Sequence, residues 1–314
     1  MDDPYLQYAF ASLQNVSDVA PEAAAHHILT GSFRSLSLFL LAFSPLSRKL
    51  RWIKTVSGEF GPHQFLAKVD YDGGSIGHAG EKSVVGKSTR VYGTSWALPP
   101  MLHCWSLERG EGNEWKVWNV GKTPISTKLP LSHPNLYLMR GSSHVAAVSS
   151  YITVPPPYWY IYSTGGPTGE VHRIDKLTGG FGEKVQEILF VEGDKLRDAD
   201  KTRAALVRLF RFKSKFFPII IGLPQRYGSH AIEFTPDGQH AFIPVLGTNS
   251  IEMYDHDPAT GRLTHAASVS SPRRRENEEL KDGPRHVKVH RNGRVIYCVT
   301  EHCECERLRS EAKY

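Results

Sequence analysis

The feature that most restricts the fold of this chain is an internal repeat with a spacing of 55 residues. Residues 229–242 read SHAIEFTPDGQHAF, residues 284–297 read PRHVKVHRNGRVIY, and the two segments align without a gap. The Asp237–Gly238 pair falls on the Asn292–Gly293 pair, and such pairs supply the positive φ that a two-residue hairpin turn requires. β-Branched and aromatic residues flank both pairs. Each copy therefore predicts a strand, a tight turn and a second strand.

A third, looser copy of the repeat begins at Gly61–His63, which resembles Gly283–Arg285, and its second strand is predicted at Val91–Tyr92. A second kind of turn recurs between these units. Two hairpin types that alternate at this spacing predict four strands per repeat, which is the blade of a β-propeller. We expect one all-β propeller domain over residues 1–314 with about five blades; a β-sandwich with coincidental turns is the alternative. The second turns lie at Phe43–Leu50, Asp175–Phe181 and Asp257–Leu263.

The net charge of +6 comes from one segment of the chain. Residues 201–226 contain seven Lys and Arg and no acidic residue, and the remaining chain has 31 basic and 32 acidic residues. We therefore expect no nucleic-acid or membrane partner. Residues 206–217 could alternatively form a basic amphipathic membrane helix. Their charges at 208, 211, 213 and 215 make an irregular helical face, and Pro218 ends it.

The apolar runs of the chain are short. Leu36–Phe43 and Phe216–Leu223 are well below the roughly 20 residues that cross a bilayer. The start of the sequence also lacks the basic and apolar regions of a secretory signal. We expect a soluble, cytoplasmic protein.

Cysteine and histidine crowd the last part of the sequence. The four cysteines do not form a disulfide framework and are expected to be free thiols. A metal site is the alternative, but two histidines four residues apart on a strand are too distant to share one ion, and no C-x₂-C pair is present. We expect no metal and no other cofactor. The residues concerned are His286, His290, His302, Cys303 and Cys305.

The repeat places three basic side chains at one position. In a propeller the first strand of every blade lies beside the central channel, so equivalent positions point into one cavity. The alignment puts His63, His230 and Arg285 at such a position, although each histidine alone could be an ordinary turn residue. Arg binds carboxylates through a planar fork, and His carries protons near neutral pH. We predict a small anionic ligand bound by His63 and Arg285, with Glu301 as an acid/base candidate where the other copies hold apolar residues.

Several segments resemble one known family. They are HILTGSF at 27–33, YITVPPP at 151–157, GGPTGEVH at 165–172, VLGTNSIEMYD at 245–255 and GPRHVKVH at 283–290. These segments resemble the fungal carboxy-cis,cis-muconate cyclases, seven-bladed lactonase-type propellers related to the bacterial 6-phosphogluconolactonases. The matching parts cover roughly residues 27–122, 149–205 and 227–302.

The resemblance implies an intramolecular lactonisation in aromatic-acid catabolism (the β-ketoadipate pathway). A carboxylate of 3-carboxy-cis,cis-muconate adds across a conjugated double bond, and the resulting carbanion is protonated. Carried over residue by residue, it implies catalytic roles for His230, Arg285 and Glu301, with Arg285 binding a substrate carboxylate, and it requires no metal. A sugar-lactone hydrolase and a non-catalytic propeller scaffold remain alternatives, and the polar cluster argues against the scaffold. The oligomeric state is open.

Parts of the chain depart from the family pattern. Residues 125–148 and 206–225 do not match it and resemble translated non-coding sequence. The family's further functional arginine belongs to a later blade than this chain reaches. We therefore expect the last blades to be missing, and the tail Cys303–Tyr314 is not expected to continue the strand that should follow.

Overall fold

The computed structural model describes residues 26–31, 38–56, 63–72, 87–95, 101–109, 114–124, 127–128, 144–145, 151–166, 168–190, 228–270, 282–301 and 310–311. The regular structure in these ranges consists of antiparallel strands, which confirms the all-β prediction. No helix within them is long and apolar enough to cross a membrane. The segments 125–148 and 206–225 lie outside the described residues, apart from one short strand pair. That pair is Thr127–Lys128 (β8) and His144–Val145 (β9).

The other strands form five sheets in which each strand pairs with the next one along the chain. This up-and-down order of three or four strands is that of propeller blades, and the predicted fold is confirmed. Blade 1 is β1 (His26–Gly31), β2 (Leu38–Ser44) and β3 (Lys49–Val56), and blade 2 is β4 (His63–Asp72), β5 (Lys87–Ser95), β6 (Met101–Arg109) and β7 (Trp115–Pro124). Blade 3 is β10 (Tyr151–Thr153), β11 (Tyr160–Gly165), β12 (Thr168–Ile174) and β13 (Phe181–Leu189). Blade 4 is β14 (Glu233–Phe234), β15 (His240–Val245), β16 (Ser250–His256) and β17 (Leu263–Ser270), and blade 5 is β18 (Pro284–Val289), β19 (Val295–Thr300) and β20 (Ser310–Glu311).

Strand β20 corrects one expectation about the tail. Its two residues pair with the start of β19, at Val295 and Ile296. Two residues of the tail thus form a short third strand of blade 5, whereas the tail Cys303–Tyr314 was not expected to continue the expected strand. Such a short pairing uses main-chain groups alone, so it needs no apolar alternation and leaves little trace in the sequence.

The hydrogen-bond register reproduces the 55-residue repeat. Residues that are 55 apart in blades 4 and 5 pair with partners that are also 55 apart. This holds on both sides of the register shift between the first two strands of each blade. The amide of Leu246 donates to the carbonyl of Gly228, and the amide of Glu301 donates to that of Gly283, both at 2.8 Å. The predicted equivalence of these two copies is confirmed. The matching pairs are Ser229–Val245 and Glu233–Phe242 in blade 4, and Pro284–Thr300 and Lys288–Tyr297 in blade 5.

The third copy aligns one residue differently from the sequence prediction. His63 pairs with the last residue of β5, which is the place that Pro284 takes opposite the last residue of β19. Gln64, and not His63, therefore corresponds to Arg285 and His230. The predicted position of His63 in the repeat is wrong by one residue. The connection between β4 and β5, residues 73–86, is longer than in the other two copies, so the sequence gives no fixed point from which the register could be counted.

The hydrophobic core lies between the blades. Along β2 buried residues alternate with partly buried ones, as expected for a strand whose two faces differ in burial. The buried residues of β2 pack against the neighbouring face of blade 2, and the other blades meet in the same way. The fold is therefore stabilised by interfaces between consecutive blades. The interface of blades 1 and 2 contains Leu38, Leu40, Val91, Trp105 and Leu107, and that of blades 2 and 3 contains Val69, Tyr71, Tyr92, Leu102, Cys104, Ile152, Ile161 and Ile174.

The second family of turns attaches each blade to the preceding one. In the turn after β16, Gly261 adopts a φ of 72° and its carbonyl accepts a hydrogen bond from Tyr162 of blade 3 at 3.1 Å. In the turn after β12, Gly179 adopts a φ of 71° and its carbonyl accepts from Tyr92 of blade 2 at 2.6 Å. These turns are therefore docking elements between blades.

The turn at Gly261 gives a direct test of this docking. A Cβ at Gly261 would lie 2.4 Å from Cδ1 of Tyr160, whereas a Cβ at Gly238 would meet nothing within 4 Å, although both glycines have positive φ. Gly238→Ala should lower the free energy of unfolding by about 1 kcal/mol, the cost of a left-handed alanine. Gly261→Ala should lower it by about 3 kcal/mol, because overpacking adds to the backbone cost. Urea unfolding measures both, and equal losses would contradict the docking role.

Asn249 connects the β15–β16 turn of blade 4 to the segment that enters blade 5. Its side chain is buried, and its Oδ1 accepts hydrogen bonds from the amides of Asp282 and Gly283, both at 3.0 Å. Asn249 has a φ of 55°, a conformation that Asn tolerates better than most residues. This contact fixes the backbone immediately before Pro284 and Arg285.

Asn249→Ala should leave these two buried amides without their acceptor and lower the free energy of unfolding by about 2 kcal/mol. Hydrogen exchange at the amides of Asp282 and Gly283 should accelerate at least about tenfold, because exchange follows local opening. Asn249→Asp keeps an acceptor oxygen and should retain most of the protection. Unchanged exchange in Asn249→Ala would show that Asn249 does not hold this segment.

Candidate active site

Arg285 lies at an irregularity of the innermost strand of blade 5. The pairing of β18 with β19 shifts register between Pro284 and His286, so Arg285 occupies a bulge. Bulges redirect side chains and are frequent beside functional sites. The Arg285 side chain is 39% exposed, so the guanidinium is accessible to a ligand.

Glu301 lies beside this guanidinium. Its Oε2 is 3.3 Å from Nε of Arg285, and its backbone amide is fixed to Gly283. A guanidinium has five N–H donors, so this contact leaves donors for a ligand carboxylate. The structure thus brings together two of the residues predicted from the sequence.

His230 lies in blade 4 at the place that Arg285 takes in blade 5. The amide of the preceding residue, Ser229, donates to the carbonyl of Gly166 in blade 3 at 3.0 Å, so this segment joins two blades. A Cβ at Gly228 would lie 2.9 Å from Nε2 of His230, so a glycine there makes room for the imidazole. For His63 only the backbone is described. The roles of His230, Arg285, Glu301 and His63 stay predictions.

A second group of polar residues, which the sequence prediction missed, joins three blades at their innermost strands. We call Tyr151, Glu233, His286 and Lys288 the channel cluster. Oε1 of Glu233 in blade 4 accepts a hydrogen bond from Oη of Tyr151 in blade 3 at 2.9 Å and one from Nζ of Lys288 in blade 5 at 2.7 Å. The ring of His286 meets that of Tyr151 at 6.2 Å between centroids and 63° between planes. One carboxylate oxygen therefore connects both neighbouring blades.

The channel cluster follows the repeat. By hydrogen-bond register, Phe65, Tyr151, Ala231 and His286 are equivalent residues of the inner strands of blades 2, 3, 4 and 5. The Phe65 and Tyr151 ring centroids lie 4.0 Å apart, and Tyr151 also contacts His286, so the rings of blades 2, 3 and 5 contact one another in succession. Glu233 and Lys288 are also 55 residues apart, and this pair of opposite charges was the signal that could have revealed the cluster.

The surroundings of the cluster decide which groups carry charge. Burial, followed by the neighbouring Arg285 charge, lowers the pKa of His286 below its ordinary value, while Glu233 and Glu301 act in the opposite direction. Burial and the adjacent Glu233 raise the pKa of Tyr151, which keeps the phenol protonated as a donor. Burial raises the pKa of Cys298 to about 11, so its thiol is neutral and a poor nucleophile.

Within the described ranges, no group of three or more His, Cys, Asp or Glu is arranged to hold a metal ion. The sequence-based metal alternative also included His302, Cys303 and Cys305, which lie outside those ranges. The groups described here suit a different chemistry. The guanidinium of Arg285 and the ammonium of Lys288 are groups that can bind carboxylates. The imidazole of His286, on which Glu233 and Glu301 act, is a group that can hold or release a proton.

Comparisons with known proteins agree with this fold. Residues 224–304 match the family described as lactonase, 7-bladed beta-propeller. The chain is 28% identical over 284 residues to muconate cycloisomerase 1 of Cutaneotrichosporon cutaneum, covering 90% of this chain and 59% of that protein. The chain thus spans about three fifths of the length of this curated relative.

Two solved structures are similar in fold. One is the periplasmic gluconolactonase PpgL of Pseudomonas aeruginosa, with a TM-score of 0.55 and 14% identity over 91% of this chain and 66% of that one. The other, from Bacteroides uniformis, is provisionally described as a 6-phosphogluconolactonase, with a TM-score of 0.55 and 15% identity over 88% of this chain and 62% of that one. The resemblance found in the sequence is confirmed to this extent: residues 224–304 match the lactonase, 7-bladed beta-propeller family, the chain is similar in sequence to a muconate cycloisomerase, and its fold is similar to that of lactonase-type propellers.

Proposed function

We propose that this chain provides the site of a cycloisomerase that lactonises 3-carboxy-cis,cis-muconate. The observation that carries the proposal is the 3.3 Å contact between Arg285, on the innermost strand of blade 5, and Glu301, which directly follows the next strand. Both residues are also among those for which the resemblance implies a catalytic role. The muconate cycloisomerase from Cutaneotrichosporon supports the same reaction class by its name.

Arg285 acts on the substrate carboxylates in this proposal. Its guanidinium binds the carboxylate conjugated with the reacting double bond, where negative charge grows during the reaction. An oxygen of a second substrate carboxylate attacks the β-carbon and forms the new C–O bond. The π electrons move to the α-carbon and are delocalised onto the carboxylate that Arg285 holds. The resemblance implies that His230 and Glu301 take part in handling the proton, without deciding which group delivers it.

Protonation of the α-carbon completes the lactone. The substrate loses no atom, and the product gains one proton, because a tricarboxylate becomes a lactone with two carboxylates. Lactone hydrolysis changes acidity in the opposite direction, since the ester and water give an alcohol, a carboxylate and a released proton. The sign of the proton change therefore separates cycloisomerisation from the sugar-lactone hydrolysis suggested by the related folds.

The first prediction concerns this sign. When 3-carboxy-cis,cis-muconate is added to the protein in weakly buffered solution, the reaction should consume about one proton per lactone formed. The absorbance of the diene should be lost at the same time. A pH-stat titration combined with ultraviolet spectroscopy measures both quantities. Proton release with 6-phosphogluconolactone, together with no reaction of the muconate, would indicate a lactone hydrolase. No reaction with either substrate, but specific protein binding, would indicate the scaffold alternative.

The second prediction concerns Arg285. Arg285→Ala should weaken binding of the tricarboxylate at least about 100-fold, because a charge-assisted hydrogen bond is lost and Glu301 is left facing the substrate anion. Arg285→Lys should recover only part of this loss, since an ammonium lacks the planar fork. Arg294→Ala removes an exposed arginine of the next turn and serves as the matched control. Calorimetric titration that found equal affinity for Arg285→Ala and Arg294→Ala would contradict the proposal.

A further inference from the structure

We propose that His286, held in the channel cluster, carries the proton that is delivered to the substrate carbon. This inference rests on the proposed function and adds to it a residue outside the set that the resemblance implied. His286 directly follows Arg285 on β18, at the bulge that redirects this part of the strand. A proton carrier at this place is next to the group that binds the reacting carboxylate.

The geometry directs His286 toward the inner strands of the other blades. Its ring contacts the edge of Tyr151, which belongs to blade 3, while blade 4 contributes only the small Ala231 at the equivalent position. His286 is also partly exposed, so a ligand has access to it. A histidine that only filled the interface between adjacent blades would not reach a side chain two blades away.

Three charged groups, on or next to strands of blades 4 and 5, act on the ionisation of His286. Arg285 precedes it on β18, Glu301 follows β19, and Glu233 lies on β14 with its charge shared by Lys288 and Tyr151. In the unliganded chain, burial and Arg285 lower the pKa of His286, so the ring is mostly neutral at neutral pH. A bound tricarboxylate brings negative charge to Arg285, which raises the pKa of His286 and favours its protonated form. Binding therefore loads the proton before the reaction uses it.

The step balances as follows. The substrate carboxylate oxygen forms the C–O bond, and the electron pair of the double bond moves to the α-carbon. Protonated His286 gives one proton to that carbon and becomes neutral. Solvent water then restores the proton after the product leaves, so the substrate isomerises and takes up one proton. No oxidant, reductant or co-substrate is involved.

The other candidates have competing contacts. Glu301 lies against the Arg285 guanidinium, where a carboxylate accepts hydrogen bonds. His230 lies over the Gly228 backbone in the segment that joins blades 3 and 4. Glu233 is a positioning residue in this proposal, since it acts on His286 through its charge and through Tyr151. It receives two hydrogen bonds of its own and needs no contact with the substrate.

The test compares His286→Gln with His290→Gln. His290 lies one residue after the end of β18, and its Nδ1 accepts the Asn292 amide at 3.3 Å. His286→Gln should lower kcat for the tricarboxylate roughly 100-fold to 10,000-fold, with a much smaller change in its Kd. The limb of the pH–rate profile that reports the protonated imidazole should disappear. His290→Gln should keep both kcat and the profile. Wild-type kcat in His286→Gln would overturn the inference.

Glu233→Gln provides the positioning test. It keeps a hydrogen-bond acceptor for Tyr151 but removes the negative charge, so the pKa of His286 should fall and the active limb of the profile should move to lower pH. Circular dichroism should show the fold retained. A profile identical to that of the wild type would exclude the positioning role.

Histidine NMR separates failure of this inference from failure of the proposed function. The His286 resonance is assigned as the one absent in His286→Gln, and its titration is followed with and without benzene-1,2,4-tricarboxylate as an unreactive probe. The inference requires the pKa of His286 to rise when the probe binds. If the chain does not convert carboxymuconate but this rise occurs, the proposed function fails and the proton-loading site stands. If the muconate is converted while the pKa of His286 does not respond, the inference fails and the proposed function stands.

Discussion

The structure depends on the packing of each blade against its neighbour. A three- or four-stranded antiparallel sheet has two faces, and neither is covered by the sheet itself, so an isolated blade would expose the apolar residues that form the core here. The outer turns make this packing specific, because their glycine carbonyls accept hydrogen bonds from tyrosines of the preceding blade. The close approach of Tyr160 to Gly261 leaves no space for a side chain at that turn. Blade contact therefore determines both the stability of the fold and the placement of the inner strands against one another.

The packing of neighbouring blades brings the polar residues of the inner strands together. Glu233 is 17% exposed, and removing a carboxylate from water is costly unless it receives hydrogen bonds. Tyr151 and Lys288 provide these bonds from the two neighbouring blades, so the charge can be kept only while all three blades are in place. The ring of His286, the residue after Arg285, contacts the same Tyr151. The chemistry of the candidate site is thus coupled to the packing of the blades, through residues that are distant in sequence.

The part of this arrangement that repeats could be predicted from the sequence, and the part that differs between blades could not. The Asp-Gly and Asn-Gly turns fixed the spacing of 55 residues, and that spacing holds in the hydrogen-bond register of blades 4 and 5. The proximity of Arg285 and Glu301 followed from the same alignment. His63 was misplaced by one residue because the connection after its strand is longer than in the other two copies, so the sequences could not be aligned without a gap. Tyr151 was missed because its blade lacks the Asp-Gly signal and forms its inner hairpin around a run of prolines, so no alignment placed it opposite Glu233.

The charges of the site also determine how a tricarboxylate could bind beside the inner strands. Each cation here faces an anion of the protein, Arg285 with Glu301 and Lys288 with Glu233, so the unliganded site is nearly neutral. A tricarboxylate that binds to such a site exchanges protein carboxylates for its own, and the gain in charge interaction is smaller than a purely cationic pocket would provide. A proton taken up by His286 would reduce the excess negative charge at the step where it is largest. In this arrangement ligand binding and proton uptake are parts of one electrostatic balance, which the bulge at Arg285 and the shared Glu233 carboxylate place at the same point of the channel.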